Sequence, residues 1–220
     1  MNPFTALRKT QNHGSSLQTT IWLPDADEPN TAPIPGCVLP AWAIDKARTD
    51  FVGHPDHLPV PLLKIAIRDM HPGVHARIPA NAFTTHPVTE DAPKRMRILL
   101  AELHPDALPA PRETMVSTAG DMPGTTEDGW PGFFHRAHRL LPDDGYLLLA
   151  TRQLRDSGRL TDPLGALIAA ARTAGFRYLQ HIVVAYAHPD GDQLVALPPS
   201  DASPGVTHCD LIALGVIRHA

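Results

Sequence analysis

Apolar and polar positions along residues 130–186 alternate in a way that predicts helix, strand, helix, strand. Trp130, Phe133, Phe134, Ala137 and Leu141 recur at i, i+3, i+4, i+7 and i+11, one face of a helix. Pro142-Asp143-Asp144-Gly145 then predicts a turn, in which proline presets φ and glycine accepts a positive φ. Residues 146–150 (YLLLA) are an almost unbroken apolar run, as expected of a strand covered on both faces. Asp162-Pro163 predicts a helix start, because aspartate can take free N–H groups and proline at the first helical position loses no hydrogen bond. Leu164, Leu167, Ile168 and Ala171 supply the buried stripe, and Gly175 ends the helix where a left-handed residue is wanted. Residues 176–186, with Ile182-Val183-Val184 inside, predict the next strand. Strands and helices alternating at this length imply a layered α/β sheet.

Elsewhere the pattern is less regular. Residues 1–18 are polar and predict a flexible segment, which leaves 19–220 as one α/β domain. TTIWL at 19–23 predicts a short strand or an anchor, with Trp22 packed on the core. Residues 54–70 predict a helix, with Pro59 and Pro61 near its start and Leu62, Ile65, Ala66 and Met70 approximating one face. Residues 71–94 look irregular, RILLA at 97–101 predicts a short buried strand, and 104–129 is a long polar loop. Strands are expected at 193–196 and 210–217, on either side of a turn-rich linker at 198–207. The 24 prolines mark loops at 24–40 and 104–132, since proline ends helices and cannot donate to a sheet ladder.

Composition narrows the function classes. At 220 residues and 43% hydrophobic content the chain can bury a substantial core. A net charge of −4 argues against a surface built for non-specific DNA binding, while leaving room for a local basic face. Only Cys37 and Cys209 occur, so no disulfide framework is expected and a cytoplasmic setting is favoured. No secretory h-region and no run of about 18 apolar residues is present, so no membrane partner is expected.

The run LLPDDGYLLLATRQLRDSGRL at 140–160 resembles the second half of class I S-adenosylmethionine-dependent methyltransferases. More narrowly, it is similar to the DNA-methylase-like branch common in actinobacteria. That family has an "LRPGG" turn, a strand, a "T-x-R-x-x-R" segment and then "G-x-L-x-D". The matching residues are Leu141-Pro142-Asp143-Asp144-Gly145, Thr151-Arg152 with Arg155, and Gly158, Leu160 and Asp162. Ala174-Gly175, residues 182–185 and His208-Cys209-Asp210-Leu211 follow in the family's order. His54-Pro55-Asp56-His57-Leu58-Pro59 resembles the family's "HPAKMLP" element. The resemblance covers 54–68 and 96–220 and implies a reduced Rossmann-like methyltransferase sheet whose final strand pair is antiparallel, at one edge.

Departures from the family shape the expected function. A glycine-rich turn for the cofactor's methionine part and an acidic residue for its ribose hydroxyls belong between the "HPAKMLP" element and the strand at 97–101. Residues 69–94 hold a single glycine, Gly73, and a βαβ unit alone takes about 30 residues. The cofactor half is therefore expected to be deleted or collapsed. No cofactor is expected, or S-adenosylmethionine if the chain is active. Amino-methylating DNA enzymes also carry Asn, Asp or Ser before Pro-Pro-Tyr or Pro-Pro-Phe after the fourth strand, to hold the amine and stack on a flipped base. Here Glu102-Leu103-His104-Pro105-Asp106 stands in that place, leaving Glu102, His104 and Asp106 as the candidate catalytic residues.

Arg136 and Arg139, with His135 and His138, line the polar side of the Trp130 helix. With Arg152 and Arg155 they are candidates for a basic face touching nucleic-acid phosphates, diluted by Asp143, Asp144 and Asp156. His54 with His57, and His71 with His75, have spacings a metal could use, but no third ligand is near in sequence and no metal is expected. Three functions follow: a non-catalytic binding or regulatory module, self-associating or paired with a complete paralogous methyltransferase; an active nucleic-acid methyltransferase with an atypical or partner-completed site; and a stand-alone nucleic-acid binder.

Overall fold

Ile98, Leu99, Leu100, Ala101, Glu102 and Leu103 are all buried and form the strand on which the rest is built. A run covered on both faces belongs inside a parallel sheet. The structure is a computed structural model and describes residues 19–25, 32–51, 62–67, 83–84, 96–103, 129–156 and 159–217. In chain order the elements are β1 (Thr19–Trp22), α1 (Ala41–Asp50), β2 (Leu62–Ile67), β3 (Phe83–Thr84), β4 (Ile98–Leu103), α2 (Gly129–Leu140) and β5 (Tyr146–Thr151). They continue with β6 (Leu154–Asp156), β7 (Arg159–Thr161), α3 (Leu164–Thr173), β8 (Phe176–Ala185), β9 (Ala187–Asp190), β10 (Gln193–Ala196) and β11 (His208–Val216).

Seven strands make one mixed sheet in the order β1-β8-β11-β5-β4-β2-β3. β2, β4 and β5 are parallel neighbours, and β1 runs parallel to β8. β11 is antiparallel to both β5 and β8, and β3 is antiparallel to β2. β6–β7 and β9–β10 are separate antiparallel hairpins. The expected α/β class holds, and the long strands β8 and β11 do pair antiparallel. That pair does not lie at an edge, because β1 flanks the other side of β8.

Apolar layers cover both faces. On one, Leu99, Ala101, Leu147, Leu149, Ile212 and Leu214 meet Phe133, Phe134 and Ala137 of α2 and Leu167 and Ala171 of α3. On the other, Ile98, Leu100, Leu148, Ala150, Leu211 and Ala213 meet Trp22, Val38, Leu39 and the α1 residues Trp42, Ala43 and Ala47. The predicted face of α2 is the buried one, and Asp162 Oδ1 accepts the N–H of Leu164 at 3.0 Å to start α3. Gly175 ends α3 with φ at 96°, and an added Cβ there would lie 2.8 Å from His138 Nε2. Gly175→Ala is therefore expected to lower stability by about 1–3 kcal/mol, read as a lower urea midpoint with an unchanged slope.

Two further expectations are corrected, and one helix was not expected. In the 54–70 region the described residues form a strand, β2, rather than a helix. In so short an apolar run the periodicity fits either state, and parallel pairing of β2 with β4 settles it. Gly145 does not take a positive φ. Its N–H closes the turn on Pro142 O at 2.9 Å, and a Cβ would stand 2.9 Å from that same oxygen. Close approach, not handedness, is what calls for glycine there. Helix α1 also lies in sequence given no element, since Trp42 is the lone bulky residue among its buried positions. The expected flexible segment at 1–18 lies outside the described residues, as does the loop at 104–129 apart from Gly129.

Candidate functional site

Glu102 sits one residue before the end of β4, on the same face as Ile98 and Leu100, and its side chain is 1% exposed. Oε1 accepts the N–H of Leu39 at 3.0 Å, and Oε2 lies 2.9 Å from Lys64 Nζ on the adjacent strand β2. A carboxylate this far from water stays charged only with partners of that kind. Lys64 Nζ also donates to Cys37 Sγ at 3.5 Å. Cys37 is brought there by Ile34-Pro35-Gly36-Cys37, a tight turn closed by Cys37 N–H on Ile34 O at 2.8 Å. Gly36 has φ at 82°, the positive value a type II turn requires at its third residue.

The neighbouring polar contacts hold the same short segment. Tyr186 O–H donates to Val38 O at 2.6 Å. Asp201 accepts from Gly36 N–H at 3.2 Å and takes both terminal nitrogens of Arg152 at 3.1 Å each. Each residue from 36 to 39 is thus fastened by a different side chain: Asp201, Lys64, Tyr186 and Glu102 in turn. Burial first, then the neighbouring Cys209, pushes the Tyr186 phenol far above the usual tyrosine range, so it is a standing donor. Burial likewise pushes the Cys209 thiol up. On Arg152 burial opposes the charge, but the hydrogen bond to Asp201 and coulombic attraction to its acidic neighbours together raise the pKa.

Asp201 is held below the usual carboxylate range, chiefly by its hydrogen bond to Arg152. A carboxyl depressed in the folded state stabilises above its unfolded pKa, and the contribution is lost as pH falls through the folded value. Asp201→Asn is therefore expected to cost about 1 kcal/mol at neutral pH. The difference from wild type should shrink below about pH 4, where the unfolded carboxyl protonates. Urea midpoints measured on both sides of that pH check it.

The residues named from sequence are dispersed. Glu102 lies inside the cluster, whereas His104 and Asp106 fall outside the described residues. Arg152 is 2% exposed and paired with Asp201 just beyond the carboxyl end of β5. Arg139 is exposed near the end of α2, which leads into the opposite end of β5, and Arg136 is on the same helix. The six-residue strand is about 20 Å long, so Arg139 and Arg152 are not brought together. Arg155 is in β6, opposite Leu160 of β7. His138 Nε2 is 3.0 Å from Ile217 O, and Asp144 pairs with Arg97 at 3.1 Å. His54, His57, His71 and His75 lie outside the described residues, among which no His, Cys, Asp and Glu group is placed to hold a metal.

Sequence reasoning missed Lys64, Cys37, Tyr186 and Asp201. The legible signal was Lys64 as the one charge within LLKIAI, since a buried lysine requires an acidic partner. Among the described residues no helix is long and apolar enough to cross a membrane. No protein-family model matches the chain, and no curated protein matches it. Chemically, the cluster offers a half-buried thiol beside an amine, with a carboxylate in ion-pair contact with that amine.

Proposed function

We propose that the chain is a methyltransferase-fold protein, related to DNA amino-methyltransferases, that does not transfer methyl groups and acts as a binding or regulatory module. Its partner in that role is a second copy or a complete paralogue. The observation that carries this reading is the fastening of residues 36–39 at the ends of the parallel strands. Open α/β sheets take their ligands outside the carboxyl ends of the strands, where the strand order reverses. Here the order reverses at β2, which has β3 on one side and β4 on the other. Glu102, near the carboxyl end of β4, has one oxygen on Leu39 N–H and the other beside Lys64, so neither faces an incoming substrate amine. Ahead of Arg97, the described residues supply β2, parallel to β4, the two-residue antiparallel β3, and β1 at the far edge of the sheet beside β8. Between β2 and β4 the sequence holds one glycine, Gly73, fewer than a glycine-rich cofactor turn uses.

Isothermal titration with S-adenosylmethionine, and transfer of labelled methyl groups to nucleic acid with and without the paralogue, test the reading. No heat of binding and no transfer are expected. Tight cofactor binding or measurable transfer overturns it in favour of an active enzyme with an atypical or partner-completed site.

A further inference from the structure

We infer that Cys37 and Lys64 form a peroxide-driven covalent cross-link, a sulfenamide joining residues 36–39 to β2. The inference goes beyond the methyltransferase reading and does not depend on it. Three groups are already in contact: Cys37 Sγ, Lys64 Nζ at 3.5 Å, and Glu102 Oε2 at 2.9 Å from that nitrogen. Cys37 is half-buried, so a molecule as small as hydrogen peroxide can reach it, and the Lys64 ammonium stands against its sulfur. Cys209, the other cysteine, is fully buried beneath Tyr186, and burial keeps it in the unreactive thiol form. Oxidation is thereby directed to Cys37.

The chemistry balances in two steps. The Cys37 thiolate attacks one peroxide oxygen; the S–O bond forms, the O–O bond breaks, and after proton transfer the products are sulfenic acid and water. Lys64 then gives a proton to Glu102, and its free amine attacks Sγ. The S–N bond forms, the S–O bond breaks, and the departing hydroxide takes the proton that the newly bonded nitrogen sheds, leaving as a second water. Sulfur is oxidised by two electrons, peroxide is reduced by the same two, and the protein loses two hydrogens. Sulfenic acids condense with nitrogen in this way when one is held against them. Here an amine stands beside the thiol, with a base beside the amine. A thiol reductant attacking Sγ restores the cysteine and the lysine.

The test treats the full reduced chain with hydrogen peroxide and maps its peptides by mass spectrometry. A linked pair containing Cys37 and Lys64, two hydrogens lighter than the sum, is expected. Trypsin should no longer cut after Lys64, and dithiothreitol should restore cleavage. Lys64→Arg keeps a cation beside Glu102 but removes the primary amine. That variant is expected to lose the linked pair and to accumulate Cys37 sulfenic acid trapped by dimedone. Glu102→Gln should form the link more slowly. Circular dichroism of each variant confirms that it is folded before treatment. Cys37 passing straight to sulfinic acid in the wild-type chain, or remaining unmodified while Cys209 reacts, overturns the inference. So does equal dimedone labelling of the wild type and a folded Lys64→Arg.

Discussion

Glu102→Ala is expected to lower the unfolding free energy by about 3–5 kcal/mol, a large share of the 5–15 kcal/mol typical of a domain. The side chain is 1% exposed, and two groups depend on it. Lys64 would keep a charge with only 15% of its side chain exposed and no opposite charge against it. The N–H of Leu39 would lose its acceptor one residue before Pro40, the capping residue of α1. Leaving a buried charge unpaired costs more than the pair itself contributes, because desolvation has already been incurred. Lys64→Met combined with Glu102→Leu removes both charges and keeps the volume. The double variant is therefore expected to regain most of the loss, leaving chiefly the unsatisfied Leu39 N–H. Urea unfolding of the two single variants and the double variant gives the coupling directly. Were Glu102→Ala to unfold like wild type, the carboxylate would not be a structural tie. The sequence-based expectation of a proton-handling group after β4 would then regain its force.

The sheet was legible where apolar runs were long and clearly punctuated. YLLLA, the Asp162-Pro163 start and Gly175 each specify their element locally, and β5, α3 and the entry to β8 lie where those signals put them. β2 was not legible, because LLKIAI satisfies a helical face as readily as a strand until it pairs with β4 across 36 positions of sequence. α1 was missed for the opposite reason. It buries two alanines and one tryptophan, too little contrast to stand out. Of the site, Glu102 was legible from its place after an apolar strand. The rest of the site was not, since Leu39, Lys64 and Asp201 come together only when separate loops and strands meet at one end of the sheet. Arg152 illustrates the same limit: a Thr-Arg-Gln sequence looks solvated, and only a carboxylate 49 residues later makes burying that arginine tolerable.

Arg152→Ala is expected to lower stability by about 2–4 kcal/mol and to leave any nucleic-acid binding unchanged. Arg152 is among the largest fully buried side chains, so truncation removes packing as well as charge. The cost should fall below that of Glu102→Ala, because the partner carboxylate is 30% exposed and can return to water when freed. Arg152→Met separates the two contributions. It restores most of the volume, and Arg152 Nε has no hydrogen-bond partner to lose. Methionine is expected to recover about half of the alanine loss, the remainder reporting the two-pronged contact with Asp201. A phosphate-binding arginine behaves differently. Its removal spares stability, weakens binding of every sequence alike and lowers the salt slope by about one. Unfolding midpoints and salt-dependent DNA titrations on the same Arg152→Ala sample therefore decide between the roles. A stable variant with a reduced salt slope would return Arg152 to the nucleic-acid face, and a destabilised one keeps it as the tie that draws Asp201 onto Gly36.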